Sequence, residues 1–154
     1  MINFASDNAA PVHPKVMEKL LQVNSESVSS YGNDYVTEQT EEMFKMIFGP
    51  KTRTLFVFNG TGANTIAIDT LCDKYSMVLT APAAHITEDE CGAPTKISGC
   101  PIRFVCDTPR KITPADLQPF MALKGDVHKS QPKAVSISQV TEMGEVYTEE
   151  ELSA

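Results

Sequence analysis

Leu55-Phe56-Val57-Phe58-Asn59-Gly60-Thr61-Gly62-Ala63-Asn64 reads as an apolar strand that enters a glycine turn and then a helix. Phe56, Val57 and Phe58 form a short run of strand-forming residues. Gly60 and Gly62 let the backbone turn sharply and approach a ligand closely, and Thr61 places a hydroxyl between them. Ala63, Ile66, Ala67 and Leu71 then share one face of a helix expected to reach Tyr75. The free N–H groups at such a helix start make a seat for an anion, most often phosphate. The alternative is a strand-to-helix turn that binds nothing.

Working outward, strands and helices alternate. Before the glycine turn, Pro14 suits a helix start, and Val16, Met17, Leu20, Leu21 and Val23 make its apolar face. Ser30-Tyr31-Gly32-Asn33-Asp34 is a turn signature, and a second helix runs from about Thr37 to Phe48, stopped by Gly49-Pro50. After it, Met77-Val78-Leu79, Ile102 to Cys106 and Ala134 to Ser138 read as strands. Thr113-Pro114-Ala115-Asp116 is a helix start with a cap, a proline at the first position and an acid three residues on; this helix is expected to reach Lys124. The order predicts an α/β fold with a mainly parallel sheet and flanking helices. In such sheets ligands sit beyond the carboxyl ends of the strands, where the glycine turn, His85 and Gln139 to Glu142 all fall.

The chain has 154 residues, enough for one domain with a real core, with 42% hydrophobic and 21% charged residues. A net charge of -7 argues against nucleic acid or an anionic membrane as partner. No apolar run reaches membrane-spanning length, and the N-terminus carries no secretory signal, so the cytoplasm is the expected location. Cys72, Cys91, Cys100 and Cys106 form no C-x-x-C pair and no zinc spacing; they read as reduced thiols, and no metal site is expected. Dinucleotide binding is disfavoured, because Thr65 stands where the third glycine of G-x-G-x-x-G belongs and no acid follows the Met77–Leu79 strand. A P-loop fails for want of Gly-Lys-Ser/Thr. A phosphate-bearing cofactor other than a nucleotide remains, with His85 placed to stack on its ring or to move a proton.

Several motifs occur together in one order: Phe4-Ala5-Ser6-Asp7-Asn8, Pro11-Val12-His13-Pro14, Tyr31-Gly32-Asn33-Asp34, Phe58 to Asn64, Ala84-His85-Ile86 with Asp89-Glu90-Cys91-Gly92-Ala93, and Ser136 to Gln139 with Thr141-Glu142-Met143-Gly144. In this combination the chain resembles the amino-terminal part of the low-specificity threonine aldolases. These are β-eliminating lyases that use pyridoxal 5′-phosphate on the aspartate-aminotransferase fold (fold type I). The resemblance implies that residues 1–154 are an incomplete large domain of that fold. It implies cleavage of L-threonine or allo-threonine to glycine and acetaldehyde. Gly60, Thr61 and Gly62 would hold the cofactor phosphate, and His85 would stack on the pyridine ring. Ser6 would hold the substrate carboxylate, and Tyr31 would line the site, in the same or a neighbouring subunit of a homo-oligomer. Glu90 and His128 match family residues near the substrate hydroxyl; the alternatives are a solvated acid and an exposed loop histidine.

The family's covalent cofactor-binding lysine, the aspartate that meets the pyridine nitrogen, and the small domain have no counterpart among the matched motifs. Thr148-Glu149-Glu150-Glu151 is a capping box that opens a helix just before the sequence stops. Both observations lead to the expectation of a truncated aldolase, inactive by itself. The second reading is a non-catalytic remnant or interaction module of the same fold.

Overall fold

The structure, a computed structural model, describes residue 3 and residues 5–154. The chain divides into two units, one ending at Phe56 and one running from Val57 to Ala154.

The first unit holds a single 3-10 turn (Asp7–Ala9) and two helices, α1 (Pro14–Val23) and α2 (Tyr35–Phe48). His13 caps α1 by accepting the Lys15 N–H on Nδ1, at 3.2 Å. Asp34 caps α2: its two carboxylate oxygens accept the Thr37 N–H and the Thr37 hydroxyl, both at 2.8 Å. These bonds to the ionised form hold the Asp34 carboxyl below the usual carboxylate range. Phe44 stacks on Phe48 and meets Phe56 edge-on. Neither helix buries a residue: of the expected apolar face of α1, Val16, Met17, Leu20 and Leu21 stay exposed and Val23 is half-buried.

The second unit is the α/β part. Its sheet has the order β2-β1-β3, all parallel, with β1 (Ser76–Thr80) between β2 (Ile102–Phe104) and β3 (Gln131–Val135). Every residue of β1 is buried, as expected for a parallel strand covered on both faces. Val78 joins Ile68 and Cys72 of the α3 region, Ala84, Ile86 and Cys100 in the core. Helix α3 (Gly60–Leu71) lies on this side, against α5 (Ala93–Ser98). The remaining helices are α4 (His85–Glu88), α6 (Pro114–Met121) and α7 (Glu149–Ser153).

Three expected strands differ, and β2 ends at Phe104 rather than Cys106. Leu55 to Phe58 is not a strand: among the described residues β1, β2 and β3 pair only with one another, and an extended segment without a ladder partner is not held. Phe58 is 91% exposed. The fourth strand starts three residues earlier than expected, at Gln131, and includes Pro132. Proline is tolerated there because β3 is an edge strand, and the register shifts beside it, Met77 pairing with Pro132 and Val78 with Ala134. Two helices end short of their expected limits, α3 at Leu71 and α6 at Met121. The capping box of α7 does form. Thr148 Oγ1 accepts the Glu151 N–H, and Glu151 also takes Lys111 Nζ on both oxygens, at 2.6 and 2.7 Å.

Leu79 is 1% exposed in the middle of this sheet. Leu79→Ala should lower unfolding free energy by about 2–5 kcal/mol, read from urea melts.

Candidate functional site

The glycines of the quoted stretch lie inside the first turn of α3, with Asn59 as its cap. Asn59 Oδ1 accepts the Gly62 N–H at 2.8 Å, and the Asn59 carbonyl accepts the Ala63 N–H at 3.1 Å. The N–H groups of Gly60 and Thr61 meet no acceptor among the described residues, as the start of a helix requires. Neither Gly60 nor Gly62 has a positive φ, so their value here is the missing side chain rather than unusual backbone. A Cβ at Gly60 would enter open space, whereas one at Gly62 would touch Asn59 and the Phe58 ring at 3.4 Å. The seat is therefore a bare helix end with two N–H groups, a threonine hydroxyl and an open face at residue 60. That donor set suits a phosphate, which accepts hydrogen bonds and carries the charge that a helix start favours.

One turn further along α3, on the face that also carries Gly60, stands Asn64. Its Nδ2 donates to Glu90 Oε1 at 2.6 Å. The same oxygen lies 2.7 Å from His85 Nδ1, so the histidine carries its proton there and donates it to the carboxylate. Glu90 is only 2% exposed, and its second oxygen, Oε2, is buried without a partner among the described residues. The His85 side chain is 52% exposed. The bond to Glu90 raises the His85 pKa above its usual 6.5; partial burial opposes this, and the charges of Glu90, Asp89 and Glu142 add to it.

His85 is held from the other side as well. Its main-chain N–H donates to Glu142 Oε1 at 2.7 Å, and the Ser138 hydroxyl donates to the same oxygen at 2.7 Å. Burial pushes the Glu142 carboxyl up, but these bonds outweigh it and leave the group below its usual range. The loop bearing Glu142 is fastened by Gln139, whose side-chain amide exchanges two hydrogen bonds with the Tyr147 backbone, at 2.8 and 2.9 Å. The Tyr147 hydroxyl accepts the Ile112 N–H at 2.8 Å, burying that ring.

The structure thus brings Gly60, Thr61 and Gly62 to the same helix end as His85 and Glu90, through Asn64. All lie at the carboxyl end of β1. His128 does not join them. Parallel strands are entered from the same end, and Gln131 at the start of β3 donates its N–H to Tyr75 just before β1. His128, three residues before β3, accordingly lies at the amino ends of the strands, in a cavity of about 510 Å³ shared with Lys74, Tyr75 and Gln131. Ser6 and Tyr31 belong to the first unit. Ser6 Oγ accepts the Asn8 N–H at 3.2 Å. Tyr31 is 98% exposed, with a φ of 63° that a non-glycine residue rarely adopts. Asn64 and Glu142 take part in the site without having stood out as site residues in the sequence. Asn64 sits in the glycine motif and Glu142 at a strand end, but their partners are 26 and 57 positions away.

Comparison with known proteins places this geometry. The family model of the β-eliminating lyases matches residues 3–154. A low-specificity L-threonine aldolase of Pseudomonas aeruginosa is 34% identical over 152 residues, covering 98% of this chain and 44% of that protein. The enzyme of the same name from a Pseudomonas sp. is 35% identical over the same extent. The chain therefore spans less than half the length of the curated relatives it matches. A solved threonine aldolase structure from Leishmania major superposes with a TM-score of 0.84 at 26% identity, covering 94% of this chain and 42% of that one. The match over nearly the whole chain, on an α/β fold with the site at its strand ends, identifies this protein as a member of the β-eliminating lyase family.

Proposed function

We propose that this chain forms the cofactor-phosphate half of a pyridoxal 5′-phosphate-dependent aldolase acting on L-threonine or L-allo-threonine. The observation that carries the reading is the open first turn of α3, one helical turn from a histidine anchored on a buried carboxylate. The named relatives are threonine aldolases, and the chain spans 44% of their length. On this reading residues 1–154 are the amino-terminal part of the cofactor-binding large domain. The rest of the protein supplies the cofactor-binding lysine, the pyridine partner and the small domain, within a homo-oligomer.

The chain's own residues have separable tasks. The Gly60 and Thr61 N–H groups and the Thr61 hydroxyl hold the phosphate, and the absent side chain at residue 60 admits it. When bound, pyridoxal phosphate supplies the electron sink that allows the Cα–Cβ bond of a β-hydroxy amino acid to break. His85 offers a half-exposed ring for stacking and a free Nε2 for a proton, and Glu90 fixes the other ring nitrogen. Ser6 is assigned to the substrate carboxylate and Tyr31 to the wall of the site. His128 stands apart from this cluster and receives no role in it.

The protein purified from its source with pyridoxal 5′-phosphate should release acetaldehyde from L-threonine or L-allo-threonine; absence of product from both substrates overturns the aldolase reading. Gly60→Val should leave the fold intact, because its side chain enters open space, yet weaken pyridoxal phosphate binding by roughly tenfold or more, about 1.4 kcal/mol. Unchanged affinity in a cofactor titration would remove the phosphate seat.

The raised His85 pKa also predicts a pH dependence. A histidine that binds its proton more tightly in the folded chain stabilises it fully below its unfolded pKa of about 6.5, and the contribution disappears as pH rises through the higher folded value. Thermal melts of the wild type should lose stability across that window, and His85→Gln should lack this component.

A further inference from the structure

We propose that Asn64 is a positioning residue: its side-chain amide holds the Glu90 carboxylate aimed at His85, so that His85 carries its ring proton on Nδ1 and presents Nε2 for proton transfer. This rests on the reading of His85 as the proton-moving group of the aldolase site.

The argument starts from the cost of Glu90. A carboxylate buried to 2% exposure is unfavourable unless hydrogen bonds replace its lost water. Glu90 has two donors, Asn64 Nδ2 at 2.6 Å and His85 Nδ1 at 2.7 Å, both on Oε1, while Oε2 is buried and unpartnered among the described residues. A carboxylate so sparsely supported depends heavily on each donor. Asn64 is the neutral one and never loses its proton, so it holds the carboxylate whatever the state of His85.

Removing the amide shifts this balance. With one donor left, the carboxylate is no longer held to a single direction and can turn its oxygen away from His85. The His85 Nδ1–H then loses its fixed acceptor. The neutral imidazole is then released to carry its proton on Nε2, and in that form the outward nitrogen no longer accepts one. Two residues on different elements, α3 and the loop after α4, thereby set which end of the ring is basic. The other acids facing His85 are Asp89, its neighbour on the same loop, and Glu142, which holds the His85 main-chain N–H. Neither touches the ring nitrogens among the described contacts, so they shift its titration without choosing its tautomer.

The test is ¹⁵N and ¹H NMR titration of the histidine ring nitrogens in the full protein as its source makes it, freed of cofactor, the His85 signals being assigned by their loss in His85→Gln. The wild type should show the Nδ1–H tautomer. Asn64→Leu, close in volume but with no donor, should lower the His85 midpoint by about one pH unit and convert the neutral ring to Nε2–H. Glu90→Gln should also lower the midpoint, because the carboxylate charge is gone. An Asn64→Leu chain whose His85 keeps its midpoint and tautomer overturns the proposal. So does loss of a cooperative melt in both Asn64→Leu and Asn64→Ala, which would make Asn64 a folding residue. Because no cofactor or substrate is present, this result stands apart from the aldolase assay: failure of turnover leaves the titration unchanged, and an unmoved tautomer leaves turnover untouched.

Discussion

The buried Glu90 carboxylate is the interaction on which the arrangement of the site depends. It joins α3 to the segment after β1 by two short hydrogen bonds on a single oxygen. A buried charge is tolerated only with such partners, and it makes their geometry exacting in return: moving either donor exposes a desolvation cost of several kcal/mol. The helix start that offers N–H groups to an anion and the histidine that faces outward are thereby fixed to one another. Neither could be placed by apolar packing alone, since His85 is half exposed and the α3 start is open to solvent.

The parallel sheet decides which residues can meet. Helix α3 leads into β1 through Cys72 to Tyr75, so its start lies near the carboxyl end of the strand that its own end feeds. Whatever follows β1 or β3 emerges at that same end, which collects Asn64, His85, Glu90, Ser138 and Glu142 from three separate stretches. Residues that precede a strand emerge at the opposite end by the same geometry, and His128 is the instance. A histidine in a polar loop carries no mark of which end of the sheet it will occupy; only the strand that follows it settles the matter.

Much of this was legible in the sequence, and the exceptions have physical causes. The α/β order, the buried Met77–Leu79 strand and the Pro14, Thr113 and Thr148 helix starts follow from apolar runs and capping chemistry, which are local. The Leu55–Phe58 strand did not form because strand formation needs a ladder partner, which no local pattern supplies. Pro132 hid the start of β3, since a proline is tolerated in a strand only at an edge, and edge position belongs to the assembled sheet. The glycines were expected ahead of the helix and proved to lie within its first turn, because Asn59 rather than a residue after them provides the cap. His85 and Glu90 were candidates separately. Their bond depends on α4 being a single short turn, and the contribution of Asn64 depends on a contact across 26 positions.

The electrostatics of the site bear on why the proposed anion seat draws on backbone. Glu90, Asp89 and Glu142 all act on His85, in a chain of net charge -7. A phosphate entering this neighbourhood meets like charge, and a surface lysine would be neutralised by these acids before it could hold the ligand. The N–H groups of Gly60 and Thr61 cannot be neutralised in that way: their partial charges are fixed by the helix and point at the open face whatever the surrounding acids do. Among the described residues, protonated His85 is the one titratable positive charge in the cluster, and its raised pKa is the response of the imidazole to the same acids that would repel a phosphate. The acidic setting thus works in two directions, opposing the anion directly and favouring it through the histidine. The balance lies with Glu90, whose charge is buried where it stabilises the imidazolium by direct contact and faces the solvent-exposed seat only at a distance.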